Sequence, residues 1–144
     1  MTETDDSLQA YYRRLEDNFH RAPITRHVPQ RMEVVGPGEV RITLPPDPRL
    51  CHGAARVHGG ILSLLLDNAG FFAAATLTGG YWVATTEFNT HLLESVAGED
   101  VVATGRVLRP GRNVFHAEMR ARIAAREVAV GFGTYMVLPR KFSA

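Results

Sequence analysis

Residues 56–75 read Arg56-Val57-His58-Gly59-Gly60-Ile61-Leu62-Ser63-Leu64-Leu65-Leu66-Asp67-Asn68-Ala69-Gly70-Phe71-Phe72-Ala73-Ala74-Ala75. From Ile61 to Ala75 the pattern predicts a helix with almost no polar face. Leu, Phe or Ala falls on nearly every turn, so such a helix must be covered on most sides and belongs in a core. It is short for a membrane span, and Asp67 interrupts it. Carboxylates are seldom fully buried without a partner or a task. Asp67 therefore has two readings. One is a partly wet side chain bonded to Asn68 or a neighbouring loop; the other is a functional acid with a perturbed pKa.

The helix is entered through His58-Gly59-Gly60. Two glycines let the backbone turn tightly and approach another group closely. The first turn of a helix also leaves N–H groups unpaired, backed by partial positive charge. Together these can hold an oxyanion or a polarised carbonyl oxygen; the plainer reading is a tight turn into a helix. Gly60 and Asp67 share a helix face but are separated by roughly 10 Å of rise. A general base must lie within about 3 Å of the proton it takes. One helix cannot bring both groups to one small reacting centre, whereas two antiparallel copies can. The spacing thus predicts a site at a two-fold interface, each chain supplying half.

The chain has 144 residues, enough for one domain with a sizeable core. Hydrophobic residues at 45% and charged residues at 22% fit an ordinary globular chain, and a net charge of +1 gives no basis for a nucleic-acid surface. The lone cysteine, Cys51, excludes an intrachain disulfide and fits a reducing cytoplasm. The acidic, polar run Met1–Asp6 is not expected to be a secretory leader, and no window has the apolar length of a membrane helix.

In chain order, Met1–Asp6 is expected to fray, with Ser7, Asp5 or Asp6 capping a first helix. Leu8, Tyr11, Tyr12, Leu15 and Phe19 recur at helical spacing over about three turns, ending before Pro23. This amphipathic helix could cover a sheet edge or lie across a partner chain. Arg31–Val35 and Glu39–Leu44 flank Gly36-Pro37-Gly38 as a hairpin with one wet face. Pro45, Pro46 and Pro48 end the second strand. After the core helix, glycine at Thr78-Gly79-Gly80 is the expected C-terminal cap. Four further strands follow: Trp82–Leu93, Asp100–Arg109, Asn113–Ala124 and Glu127–Leu138. The last is apolar on both parities, which predicts a central strand covered on both faces. Gly131 and Gly133 within it predict a close backbone approach, with the core helix as the candidate neighbour. A single antiparallel sheet curling around one apolar helix accounts for this order, giving an α+β fold.

The glycine turn His58-Gly59-Gly60, the apolar helix with Asp67, and Thr85-Thr86-Glu87-Phe88-Asn89 on the next strand form a set. The set resembles the hotdog-fold acyl-CoA thioesterases. It is most similar to their phenylacetyl-CoA thioesterase-like branch, which includes the mammalian thioesterase superfamily members. The resemblance spans residues 31–139 and implies a curved antiparallel sheet wrapped around one long central helix. Residues 1–23 would be an extra N-terminal helix ahead of a hotdog domain over 24–144. It further implies an acyl-CoA substrate, no cofactor, no metal, and a homodimer or dimer of dimers with the site between subunits.

Carried over by position, the resemblance gives Gly59 N–H, aided by Gly60, the task of polarising the thioester carbonyl. Asp67 of the facing protomer would activate water or attack directly. Thr85 would help hold the water, and His58 would orient the turn or the thioester. Asn68 and Thr86 fall at substrate-binding positions beside these groups. Relatives often carry Asn where this chain has His52, a departure that introduces a group titrating near neutrality. Arg112 and Asn113, in Pro110-Gly111-Arg112-Asn113, resemble a turn that meets the CoA nucleotide; Arg109 and Arg140 are further phosphate candidates. The alternative for Arg112 is a solvated turn cation. Phe71, Phe72 and Trp82 either line an acyl pocket, aromatic or medium-chain, or pack the core.

The chemistry suits these residue types. A thioester carbonyl is weakly resonance-stabilised and has a good thiolate leaving group. Oxyanion donors are commonly the largest catalytic contribution, about 3–4 kcal/mol for one. Burial presses the Asp67 pKa up and a nearby helix N-terminus presses it down. A metal site from His52, His58 and His91 lacks ligand spacing, and Cys51-His52 adjacency is no evidence of a nucleophile. Hotdog enoyl-CoA hydratases pair an Asp with a His five residues later before the helix, and residues 52–58 contain no acid. A non-catalytic acyl-CoA-binding module is the rival from another class; it would not need Asp67.

Overall fold

The computed structural model describes residues 3–142. In chain order it contains α1 (Glu3–Arg21), β1 (Arg31–Gly36), β2 (Glu39–Leu44), α2 (Gly59–Ala75), β3 (Tyr81–Leu92), β4 (Val101–Arg109), β5 (Val114–Ile123) and β6 (Arg126–Lys141). Short 3-10 turns occupy Pro23–Arg26 and Pro48–Leu50. The strands form one antiparallel sheet in the order β1-β2-β4-β5-β6-β3, wrapped around α2: a hotdog fold. Expected strands and observed strands agree within a residue or so, except that β6 runs on to Lys141, which pairs with Tyr81.

α2 is apolar for the reason its sequence gives. Leu62, Leu65, Leu66, Ala69, Phe72 and Ala73 are buried against the sheet. Ile61, Leu64, Asp67, Asn68 and Phe71 recur on a partly exposed stripe that the chain's own sheet covers only in part. The depth of α2 is set by Gly105 on β4, where a Cβ would collide with the backbone of Ala69. The close backbone approach expected at Gly131 is present but comes from β3, and the helix expected as the neighbour of Gly131 and Gly133 is not it. A Cβ on Gly131 would strike the backbone of Asn89 on β3, and one on Gly133 would meet the ring of Tyr135, so neither glycine serves the helix backbone.

Other expectations are corrected too. The helix C-cap is Thr76, in right-handed conformation; Gly79 and Gly80 take positive φ only later, in the turn to β3. Thr76 earns its position by two bonds, donating to Ala73 O and accepting from Gly38 N–H, both at 2.7 Å. β6 is covered on one face only: its outer residues Phe132 and Met136 are 49% and 43% exposed, because α2 lies on the other side. α1 has 19 residues, about five turns rather than three. Glu3–Asp6 are helical, so Asp5, Asp6 and Ser7 lie inside the helix and neither fray nor cap it; Met1 and Thr2 fall outside the described residues.

Of the two positions open to α1, the sheet edge is the one occupied. Leu15 and Phe19 enter the same buried cluster as α2, and Phe19 meets Phe72 edge-on at 5.4 Å. Leu8 is 37% exposed and contributes little. Glu16 Oε1 accepts from Val34 N–H at 2.8 Å, and His20 Nε2 accepts from Met32 N–H at 3.0 Å. These are N–H groups on the outer side of β1, so α1 closes that edge. The opposite edge, β3, has no strand neighbour among the described residues.

Candidate active site

The glycine turn is built by its own histidine. His58 is the N-cap of α2 with extended φ/ψ, and its Nδ1 accepts from Gly60 N–H at 2.9 Å. With Nδ1 accepting, Nε2 is the ring nitrogen left to carry the N–H. Ile61 N–H goes to His58 O. Gly59 N–H donates to no group among the described residues, whereas the Gly60 amide is already engaged. Gly59 sits beneath Leu92, which a Cβ would strike at 2.5 Å. His52, Val57, Gly59, Leu62 and Leu92 line a cleft of about 260 Å3. His52 is exposed there, its Nδ1 accepting from Ala54 N–H at 3.1 Å. Cys51 points elsewhere, its thiol donating weakly to Asp47 O at 3.9 Å.

Asp67 lies eight residues further along α2, about 12 Å of rise from Gly59. Thr85 Oγ1 donates to its Oδ1 at 2.9 Å. Tyr135, fully buried on β6, places its hydroxyl 3.4 Å from the same oxygen. Burial raises the Asp67 carboxyl above the usual carboxylate range, and the two hydroxyl bonds pull it only partway back. Burial therefore outweighs the opposing effects within one chain.

The remaining candidates are scattered. Thr86 is the extra residue of a bulge between Thr85 and Glu87, is exposed, and donates to Thr134 O at 3.1 Å, away from Asp67. Asn68 donates to the buried Gln30 at 3.3 Å and makes no bond to Asp67 or Thr85 among the described residues. Arg112 and Asn113 are exposed in the β4–β5 turn. They line a cleft of about 610 Å3 with Leu77, Thr78 and Tyr81. That cleft is at the C-terminal end of α2, opposite the glycine turn. Phe71, one turn beyond Asp67, has Trp82 at 6.2 Å and Tyr135 at 6.5 Å, while Phe72 is core. Tyr135 was missed by sequence reading, because in an apolar strand an aromatic residue reads as packing. The signal available was the pair of glycines before it on the same face.

No helix of the described residues is long and apolar enough to cross a membrane. The pattern of the thioesterase superfamily matches residues 55–130, which takes in the glycine turn, α2 and Thr85. A Halobacterium salinarum protein provisionally named as an esterase is 33% identical over 119 residues, 74% of this chain and 78% of that one. A thioesterase family protein from Silicibacter pomeroyi superposes with a TM-score of 0.82 at 30% identity, over 89% of this chain and 98% of that one. The Escherichia coli PaaI protein of the phenylacetic acid degradation operon superposes with a TM-score of 0.80 over 92% and 99%, and at 17% identity its likeness bears on the fold alone. The family pattern over more than half of the chain, together with these relatives and this fold, identifies the chain as a member of the thioesterase superfamily, a thioester hydrolase.

Proposed function

We propose that two copies of the chain form an acyl-CoA thioesterase whose sites lie between them, Gly59 of one facing Asp67 of the other. One observation carries this reading. The unengaged Gly59 amide and the Asp67 carboxylate are on the same helix but about 12 Å apart, too far to meet at one carbonyl. The open edge of β3 and the half-exposed Ile61, Leu64 and Phe71 on α2 support a second copy as the covering partner. Phe88 and Leu93, 37% and 53% exposed along that edge, extend the same apolar surface.

In this reading the thioester carbonyl oxygen accepts from Gly59 N–H, and helix polarity behind it stabilises the developing oxyanion. The Asp67 carboxylate takes a proton from water as the water oxygen bonds to the carbonyl carbon. Collapse of the tetrahedral intermediate breaks the C–S bond, releasing the carboxylic acid and the CoA thiolate, which takes the proton that Asp67 had received and so restores the carboxylate. A raised Asp67 pKa supports the base role, since proton affinity grows with pKa. His58 holds Gly60 N–H and so shapes the turn. Phe71 and Trp82, which pack together one turn beyond Asp67, support a flat or apolar acyl group, so an aromatic acyl-CoA is the first substrate to try. Arg112 and Asn113 are then the candidates for the CoA phosphates. The lone Cys51 supports a cytoplasmic setting.

The test is complementation. Asp67→Asn and Gly59→Pro chains, each expected to be nearly inactive in thiol release from acyl-CoAs, are mixed after unfolding and refolded together. A shared site restores about a quarter of wild-type activity, because half of random dimers are mixed and each has one intact site. No restoration in mixed dimers verified by mass would overturn the shared site. Tight binding of acyl-CoA by the wild-type chain without thiol release would favour a non-catalytic module.

A further inference from the structure

The mechanism above leaves Tyr135 unused, although more of the structure is arranged around it than packing requires. Its ring is fully buried, and its hydroxyl is 3.4 Å from Asp67 Oδ1, 3.4 Å from Asp67 O and 3.8 Å from Met119 Sδ. Two glycines make the slot. A Cβ on Gly133 would stand 2.5 Å from the hydroxyl and 2.8 Å from the ring, and a Cβ on Gly70 would collide with the hydroxyl outright. Gly70 is one helical turn beyond Asp67, and Gly133 is two residues before Tyr135, so both elements give way to the same phenol. Tyr135 is also the direct cross-strand partner of Thr85. The pair therefore presents two hydroxyls, from neighbouring strands, to a single carboxylate oxygen.

We propose that Tyr135 is a positioning residue which, with Thr85, holds Asp67 by Oδ1 and leaves Oδ2 as the oxygen that takes the proton from water. Oδ2 receives no hydrogen bond from any described residue. A carboxylate held on one oxygen by Thr85 at 2.9 Å, with the Tyr135 hydroxyl 3.4 Å from that same oxygen and sharing its single proton between it and Asp67 O, has little freedom to rotate, so its second oxygen points in a defined direction. Burial and the neighbouring acid raise the pKa of the phenol, so it stays protonated and acts as donor throughout the working range. The ionisable groups whose charge reaches it are Asp67 and Glu87; the shift at Asp67 itself arises from burial, Thr85 and Tyr135.

This rests on Asp67 as the base, and the experiment separates the two. Tyr135→Phe removes one oxygen and keeps the ring in its slot. Expected is a fall in kcat of about 3- to 10-fold, the range of one modest hydrogen bond. KM should be unchanged, and the acidic limb of the pH profile should move upward because a bond to the ionised carboxylate is gone. Adding Thr85→Ala should move the limb further in the same direction. Circular dichroism and thermal melting verify folding, and should Tyr135→Phe melt early, the limb is read below its transition temperature. A limb that coincides with wild type, with kcat intact, overturns the positioning role. Should Asp67→Asn retain wild-type turnover, the base assignment itself fails, whatever Tyr135→Phe does.

Discussion

Gly105 of β4 lies directly under the Ala69 carbonyl of α2, with no space between them for even one Cβ. This contact sets how deep the helix rides in the sheet, two residues from Asp67. The obstructing atoms are backbone, which cannot swing aside. Gly105→Ala should therefore cost about 1–3 kcal/mol through overpacking. At this chain length that corresponds to a melting temperature lower by about 2–4 °C per kcal/mol. Lifting α2 also lengthens the 2.9 Å Thr85–Asp67 bond, so turnover should fall in whatever fraction remains folded. Differential scanning calorimetry paired with thiol release checks both.

Thr85→Ala deletes the shorter of the two hydroxyl bonds to Asp67. A hydrogen bond to a charged group contributes about 1.5–3 kcal/mol, so kcat should fall roughly 10- to 100-fold. Thr85→Ser keeps the hydroxyl and should recover most of that loss. Equal activity of the Ala and Ser variants would show that the hydroxyl has no part.

The sign of the Asp67 shift fixes two pH dependences. Its folded-state pKa is raised, so the ionised form is disfavoured by folding. Such a group weakens the fold as pH rises through its folded value, and the penalty is absent below the unfolded value near 3.9. Asp67→Asn, whose amide oxygen still accepts from Thr85 and Tyr135, should melt at or above wild type near pH 7. That advantage should vanish as pH approaches 4. Conversely, wild-type turnover should be lost on acidification at a pH above that of an ordinary Asp. Melting curves and kcat/KM across pH 4–8 report each separately.

Glu16 and His20 occupy the outer N–H groups of β1 at 2.8 and 3.0 Å. Replacing both by Ala strips two acceptors and reopens the β1 edge, at the opposite end of the sheet from the open β3. The double variant should lose about 1–3 kcal/mol. It should also associate beyond the wild-type oligomer in light scattering, since a sheet with two open edges can pair head to tail. An unchanged mass across a hundredfold range of concentration would argue against edge closure.

The apolar run from Ile61 to Ala75 could only be a buried helix, and the alternating strands around it could only be a sheet wrapped on it. Period and length settle those matters locally, so the strand order along the chain was legible. The glycine turn and the isolated acid stood out as well, because both break the pattern around them. What the outer face of β6 meets was not legible: a residue apolar on both parities reads as covered, yet Phe132 and Met136 are exposed. The helix ends were misread for a related reason, since Thr76 caps α2 through Gly38, a residue thirty-eight positions away. Thr85 was placed beside Asp67 by resemblance, whereas its partnership with Tyr135 comes only from strand register. Sequence by itself determined which residues are apolar, which bend, and which carry charge where none is expected. Tertiary structure decided which oxygen of Asp67 is held, which edge is closed, and which amide at the glycine turn is left without a partner. Those depend on contacts between segments far apart in the chain, where a shift of one residue in register sends a side chain to the opposite face.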